Sequence, residues 1–164
     1  MTFEPRRTDL PAVRTPSAAL RAAYEATLYE VAGPIPAVLK VGDEPGKHDR
    51  WLDQLNSKRA LVVTAWNPFS DPALQAANAA ANARLAHVAG SHGLAFVSAC
   101  GRHPAGGWFE QSLCVFDAPD SLVDEWLCEF RQNAALRLIR GGGPEIVWHP
   151  AIRERVSRSS KGQG

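Results

Sequence analysis

The sequence predicts an α+β fold, and three observations support this. From residue 60 onward, β-branched apolar runs alternate with segments of helical periodicity, in the order strand, helix, strand, strand, helix, strand. Gly, Pro or Asn marks most of the boundaries between them. The order matches the split βαβ pattern of a ferredoxin-like two-layer sandwich, whose first and third strands lie side by side and antiparallel. Another α+β sandwich and a short doubly wound sheet are the alternatives.

The N-terminal part of the chain predicts an extension of this core. Residues 1–16 contain three prolines and scattered charges, which indicates an irregular arm. Ser17 suits the N-cap of a helix that continues to about Ala32, where a Gly-Pro pair stops it. A short strand, a loop and one helical turn are expected at residues 37–41, 43–50 and 51–56. We therefore expect residues 17–59 to pack on the core as a helix and a short strand.

The core domain is expected to span residues 60–150 and to end in a hairpin around three glycines. Its first helix is alanine-rich, with Ser70 or Asp71 as N-cap and Pro72 in its first turn. The second helix is expected over residues 119–133. The predicted strands cover residues 60–66, 94–100, 108–116, 136–140 and 145–148. Residues 151–164 carry four basic side chains among serines and glycines, which predicts a mobile basic tail.

Composition excludes several classes of protein. The chain has 164 residues, 45% of them hydrophobic and 21% charged, which is ordinary for one globular domain. No apolar run approaches the roughly 18 residues of a membrane span, and the N-terminus lacks the apolar segment of a secretory signal. We therefore expect a cytoplasmic protein without a membrane partner. The three cysteines form no CxxC pair and the five histidines show no ligand spacing, so no metal or other cofactor is predicted.

Polar and aromatic residues occupy the ends of the predicted strands and helices. The predicted topology brings these ends to one edge of the sheet, and convergent polar groups beside aromatic rings are typical of a small-molecule pocket. The expected N-terminus of the first core helix lies at the same edge and favours an anionic ligand. The candidate ligand-binding residues are Thr64, Asn67, Ser70, Asn78, Asn82, Arg102, Trp108, Ser112 and Gln132.

Glu110 is the candidate catalytic residue. It shares one face of a predicted central strand with Trp108 and Ser112, and a carboxylate there is costly unless it is paired or functional. If Glu110 is buried, its pKa is expected to rise, which suits a general acid or base. The alternative is a structural ion pair, for which Arg102 is the nearest cation in the sequence.

The asparagines among the candidate residues also have purely structural interpretations. Asn67 precedes a proline, a common turn, and Asn78 and Asn82 fall on the flank of a helix, where amides often bond to nearby backbone. The polar cluster would then be a hydrogen-bond network that specifies the fold and binds no ligand.

Four short motifs carry a resemblance to a known family. They are TAWNP at 64–68, the helix with Asn78, Asn82 and Leu85, GGWFEQS at 106–112, and FRQNA at 130–134. Together they resemble an uncharacterised bacterial domain-of-unknown-function family that shares T-A-x-N-P, N-x-x-x-N, G-x-x-E-x-S and F-x-Q-x-A segments. The resemblance covers roughly residues 60–135. It implies no known activity, but it indicates which residues matter.

An interaction module without chemistry is the alternative function. Ferredoxin-like sheets bind proteins or nucleic acids, or dimerise, and Trp66, Trp108 and Phe116 would supply aromatic contacts. The segment WFEQSLCVF lacks the basic and glycine positions typical of RNA-binding sheets, so the sequence does not favour nucleic acid. Binding of another protein and formation of a homo-oligomer stay open, as does the question of whether the chain is an enzyme.

Overall fold

Apolar residues that alternate or run continuously along short segments build one antiparallel sheet in this chain. A computed structural model describes residues 13–162, so that most of the predicted arm, residues 1–12, lies outside it. The strands are β1 (Leu28–Val31), β2 (Ala37–Leu39), β3 (Arg59–Val63), β4 (Phe96–Arg102), β5 (Phe109–Phe116), β6 (Ala134–Ile139) and β7 (Glu145–Trp148). The helices are α1 (Ala18–Ala26), α2 (Asp49–Gln54), α3 (Gln75–Ser91), α4 (Asp120–Glu129) and α5 (Pro150–Lys161). None of the helices in this range is long and apolar enough to cross a membrane.

The strand order of the sheet is β2-β1-β4-β5-β3-β6-β7, and each neighbouring pair is antiparallel. The pairing of β3 with β5 places Val62 opposite Cys114 and confirms that the first and third core strands are neighbours. The mixed α/β character is also as predicted. The assignment to a ferredoxin-like sandwich stays a prediction, because β1 and β2 extend the sheet beyond β4 and further elements cover its second face.

Apolar side chains leave the sheet on both faces, since successive residues of a strand point to opposite sides. On one face, Leu61 and Val63 pack with Trp126 of α4 and Leu85 of α3. On the other face, Val62 and Phe116 pack with Trp51 and Leu52 of α2, and with buried residues of β1, β2, β4 and β6. We call these the α3 face and the α2 face. The α2 face is therefore not an open surface.

The predicted helix over residues 17–32 is wrong in its second half. Ser17 does cap α1, since its hydroxyl accepts a hydrogen bond from the Leu20 N–H at 3.1 Å. The helix ends at Ala26, however, and Thr27 is extended with its hydroxyl bound to the Ala23 carbonyl at 2.6 Å. The next four residues form β1, which pairs with both β2 and β4. Strand pairing with distant segments here overrides the local helical pattern.

The C-terminal segment forms α5, where the sequence predicted a mobile basic tail. His149 caps this helix, because its Nδ1 accepts a hydrogen bond from the Ala151 N–H at 3.0 Å. Pro150 occupies the first helical position, where its missing N–H costs nothing. Ile152 is fully buried and anchors the helix to the body of the protein.

We expect the substitution Ile152→Ala to lower the free energy of unfolding by about 2–5 kcal/mol, because it removes a fully buried side chain. Val156 lies on the same helix and is 45% exposed, so Val156→Ala is the matched control, with an expected change below about 0.5 kcal/mol. Urea unfolding measures both. Equal and small effects of the two substitutions would contradict the packing of α5 on the core.

Candidate functional site

The loop between β3 and α3 has an unusual backbone. Asn67, Phe69 and Ser70 have positive φ angles of 46°, 50° and 63°, in the left-handed region that non-glycine residues seldom adopt. Such a conformation costs energy and persists only where other contacts hold it. Side chains from α3 and from the strands supply those contacts.

Asn78 holds the turn at Asn67. The Asn78 Oδ1 accepts a hydrogen bond from the Asn67 N–H at 2.8 Å, and the Asn78 Nδ2 donates to the Asn67 Oδ1 at 2.8 Å. The Asn67 Oδ1 also accepts from the Ala73 N–H at 3.1 Å. The side-chain amides of Asn67 and Asn78 therefore have hydrogen-bond partners within the protein.

Asn82 lies one turn after Asn78 on α3, and together with Thr64 it binds the first residues of the loop after β3. The Asn82 Oδ1 accepts from the Ala65 N–H at 2.8 Å, and its Nδ2 donates to the Gln111 carbonyl at 2.9 Å. The Thr64 hydroxyl donates to that carbonyl at 2.6 Å and accepts from the Trp66 N–H at 3.0 Å. For Asn67, Asn78 and Asn82, the geometry therefore favours a network that specifies the fold.

The predicted start of the first core helix is wrong. Residues 68–70 form a single 3₁₀ turn, and α3 begins only at Gln75 without a side-chain cap. The preceding Leu74 is 81% exposed, and the Ala73 N–H is already bound to Asn67. The helix N-terminus on which the expectation of an anionic ligand rested therefore lies at Gln75 and not at residues 71–72.

Five of the predicted site residues meet around a small cavity on the α2 face. The cavity has a volume of about 20 Å³, which is room for one water molecule. It is lined by Thr64, Trp108, Glu110, Ser112 and Gln132, together with Tyr24, Tyr29, Val62, Gly101, Ala134 and Ala135. We call it the inner cavity.

Strand register explains how these side chains meet. Tyr29 of β1, Gly101 of β4 and Glu110 of β5 lie in one row across the sheet. Gly101 leaves room for an indole, because a Cβ at this position would lie only 3.3 Å from the Trp108 Cη2 and 3.4 Å from the Thr27 Cγ2. Trp108 can therefore lie across the glycine and cover the row.

Glu110 is 7% exposed, and burial raises the pKa of its carboxyl to about 7. The neighbouring Trp108 side chain partly opposes this rise in pKa. The ion pair with Arg102 that the sequence offered as an alternative is not formed. The Arg102 Nε instead donates to the Glu30 Oε1 at 2.7 Å, and Arg102 stands opposite Phe109 rather than Glu110.

A larger pocket of about 260 Å³ lies next to the inner cavity, beneath α1. We call it the outer pocket. Tyr24 and Trp108 line both spaces and so form the boundary between them. The other walls are Leu20, Ala23, Thr27, Ser70 and His103.

Tyr24 of α1 and Ser70 of the strained loop line the outer pocket together, and burial raises the pKa of the Tyr24 hydroxyl. The Asn133 Nδ2 donates to the Ser70 Oγ at 3.1 Å. Ser70 thus contributes to the wall of the outer pocket.

Sequence reasoning missed Tyr24, Tyr29, Gly101 and His103 as members of the site. Tyr29 could not be found, because its segment was interpreted as helix and a helical Tyr29 would not stand beside Glu110. The available signal for Gly101 was that Trp108 follows a Gly-rich loop, since a large indole needs a neighbouring residue without a side chain. Among the described residues, no group of three His, Cys, Asp or Glu side chains is placed to hold a metal ion.

The arrangement thus combines a buried carboxyl, three aromatic rings and an adjoining pocket. A carboxyl with a pKa of about 7 is present in both protonation states at neutral pH. Such a group can donate or accept a proton, or bind a polar group that enters the pocket.

A comparison with protein-family models finds a match over part of the chain. Residues 63–135 match the family model "Protein of unknown function (DUF3293)". The matched segment includes Thr64, Glu110 and Gln132 but neither α1 nor β1, and it is less than half of the chain. It agrees with the sequence-based resemblance to a domain of unknown function, whereas the motifs and the bacterial origin stay predictions. No curated protein and no solved structure matches the chain.

We expect Asn78→Ala to lower the free energy of unfolding by about 2–3 kcal/mol, because the Asn67 N–H and side chain lose their partner inside a strained turn. Gln75 is exposed on the same helix, and Gln75→Ala is the matched control with an expected change within about 0.5 kcal/mol. Thermal or urea unfolding gives both values. An Asn78 variant as stable as the control would remove the case for a fold-specifying network.

Proposed function

We propose that this domain binds a small molecule in the outer pocket, with Glu110 in the adjoining inner cavity as the recognition group and as a general acid or base. One observation carries the proposal: Glu110 is a buried carboxyl without a cationic partner among the described residues, next to a pocket that the fold leaves unfilled. Thr64, Ser112 and Gln132 are the proposed polar contacts around it. Asn67, Asn78 and Asn82 are proposed to position the loop rather than touch the ligand.

Burial of Glu110 has a cost that supports a functional role. A pKa raised from 4.5 to about 7 corresponds to about 3 kcal/mol of stability lost once the group is ionised. An apolar residue or a glutamine at position 110 would avoid this cost. Perturbed carboxyl groups of this kind are enriched at binding and catalytic sites.

The boundary between the two spaces supports access to Glu110. Tyr24 is on α1, a nine-residue helix with no buried residue, and Trp108 follows the Gly-rich loop after β4. Small movements of these two side chains would join the outer pocket to the inner cavity. We propose that a ligand enters in this way.

The same region supports a finer proposal about the fold. Within the sheet, the strands β4, β5, β3 and β6 lie in the order expected of a split βαβ unit. We therefore propose that residues 60–150 form a ferredoxin-like core, to which β1 and β2 add strands at one edge and α1 and α2 add the cover of the α2 face.

The alternative of a nucleic-acid-binding module has less support. Phe116 is 6% exposed and packs against Trp51 with ring centroids 5.8 Å apart, so it is not available for base stacking. The sheet face that carries Trp108 is covered by α1 and α2.

A fragment screen followed by nuclear magnetic resonance (NMR) tests ligand binding directly. We expect hits to shift the indole N–H signal of Trp108, and we expect Ala23→Leu, which fills the outer pocket, to weaken them about tenfold or more. Ala22 is exposed on the same helix, and Ala22→Leu is the matched control that should leave affinity unchanged. A broad screen in which no hit perturbs Trp108 would contradict the proposal.

Glu110→Gln is predicted to change the pH dependence of stability. Because the folded-state pKa is raised, the folded protein retains a proton that the unfolded chain has released between pH 4.5 and about 7. The stability contributed by the neutral carboxyl is therefore complete below pH 4.5 and is lost as the pH rises through 7. The free energy of unfolding of the variant, relative to the natural protein, should rise by about 3 kcal/mol between pH 4.5 and 8.

Urea unfolding of both proteins across this pH range measures the difference. The exposed Glu129 provides the control, since Glu129→Gln removes the same charge from the surface of α4. If the free energy of unfolding of Glu110→Gln, relative to the natural protein, changes with pH no more than that of the control, Glu110 titrates as a solvated side chain.

A further inference from the structure

We infer that the ligand of this site is a small primary amine, whose ammonium group binds Glu110 in the inner cavity while a short apolar chain occupies the outer pocket. This inference rests on the proposed function and adds to it the charge and shape of the ligand.

The charges around the two spaces favour a cation. Of the described residues that line them, none is Lys or Arg, and Glu110 is the one carboxyl. Arg102, the cation closest in sequence, is bound to Glu30. An anionic ligand would meet the Glu110 carboxylate without a compensating charge, whereas an ammonium group would supply the partner that Glu110 lacks.

The aromatic lining favours the same class of ligand. Tyr24, Tyr29 and Trp108 border the cavity that holds Glu110. The faces of aromatic rings attract cations, most strongly where water is excluded, and Glu110 is 7% exposed. A carboxylate and three rings around one small space are the combination that recognises an organic ammonium ion.

The sizes of the two spaces determine the shape of the ligand. The inner cavity of about 20 Å³ holds a group the size of one water molecule, which fits a primary ammonium but excludes a guanidinium or a trimethylammonium. The outer pocket of about 260 Å³ is bordered by Leu20, Ala23 and the Trp108 ring, which suit a short apolar chain. Tyr24 and Trp108 would flank the bond that joins the two parts.

The titratable groups near Glu110 are few. Tyr24 faces it from α1 and Tyr29 from β1, and burial raises the pKa of both hydroxyls, so both stay neutral near pH 7. From the loop after β4, His103 borders the outer pocket, and its Nδ1 accepts a hydrogen bond from the Ala105 N–H at 3.1 Å. Glu110 is thus the carboxyl whose ionisation would control binding of an amine, and His103 is the second group to control for.

Three probes with the same four-carbon chain test the inference: n-butylammonium, n-butanol and butyrate. Titrations followed by the NMR signal of the Trp108 indole N–H at pH 8 should give the tightest binding for n-butylammonium, by about tenfold or more over n-butanol. Between pH 8 and pH 5.5 the affinity for n-butylammonium should fall about tenfold or more, because Glu110 becomes protonated while the amine stays charged. The affinity for n-butanol should not change.

Variants separate the role of Glu110 from general electrostatics. Glu110→Gln should weaken n-butylammonium binding at pH 8 about tenfold or more and remove its pH dependence. Glu129→Gln should leave both the affinity and its pH dependence unchanged, and His103→Gln should retain the fall in affinity between pH 8 and pH 5.5. Binding of n-butylammonium that is insensitive to Glu110→Gln overturns the inference.

The outcomes also distinguish this inference from the proposed function. If n-butanol or butyrate shifts the Trp108 signal as strongly as n-butylammonium, the pocket binds ligands but the ligand is not an amine. If none of the three probes shifts Trp108, the inference fails, and the broader fragment screen with Ala23→Leu decides whether the pocket binds any ligand.

Discussion

The carboxyl of Glu110 is buried, and among the described residues it forms no ion pair with a cation. Most of the site is arranged around this one constraint. Gly101 provides the space in which the Trp108 indole lies, Tyr29 closes the row from β1, and α1 places Tyr24 over the remaining opening. These residues surround Glu110, and burial raises the pKa of its carboxyl to about 7. Glu110 is therefore a carboxyl that is readily protonated near neutral pH and that lies next to the outer pocket.

The side-chain amides of Asn67, Asn78 and Asn82 hold the loop that borders the inner cavity and the outer pocket. Asn78 and Asn82 of α3 bind the backbone of the loop after β3, which contains three residues with positive φ. That loop carries Thr64 to the inner cavity and Ser70 to the outer pocket. Ser70 in turn accepts a hydrogen bond from Asn133 and lines the outer pocket beside Tyr24 of α1. The α3 face thus holds the frame of a site that opens on the α2 face.

Much of the fold could be predicted from local patterns. The alternation along β5 correctly placed Glu110 and Ser112 on one buried face, and the order of the core strands predicted the pairing of β3 with β5. The helix of α3 was found from its alanine-rich stripe, although its start was set four residues too early because Asn-Pro and Ser70 imitate a cap. Residues 28–31 were assigned to a helix because a four-residue strand shows its nature only through its partners, β2 and β4.

The meeting of the candidate residues was predicted only in part, for a related reason. The predicted topology brings the polar residues to one edge of the sheet, but it does not say which face of the sheet each residue lies on. Thr64, Trp108, Glu110, Ser112 and Gln132 meet on the α2 face, whereas Asn67, Asn78 and Asn82 belong to the frame on the α3 face, and Arg102 binds Glu30. Which side a loop residue takes depends on the backbone conformation of the loop, and the left-handed turn at Asn67 is not visible in its composition.

The most direct test is the titration of Glu110 itself, followed by the ¹³C signal of its side-chain carboxyl in the natural protein and assigned by its absence in Glu110→Gln. We expect a midpoint near pH 7, well above the usual range of a glutamate carboxyl. A midpoint near 4.5 would mean that water or a cation reaches the carboxyl, and would contradict both the buried acid and the function built on it.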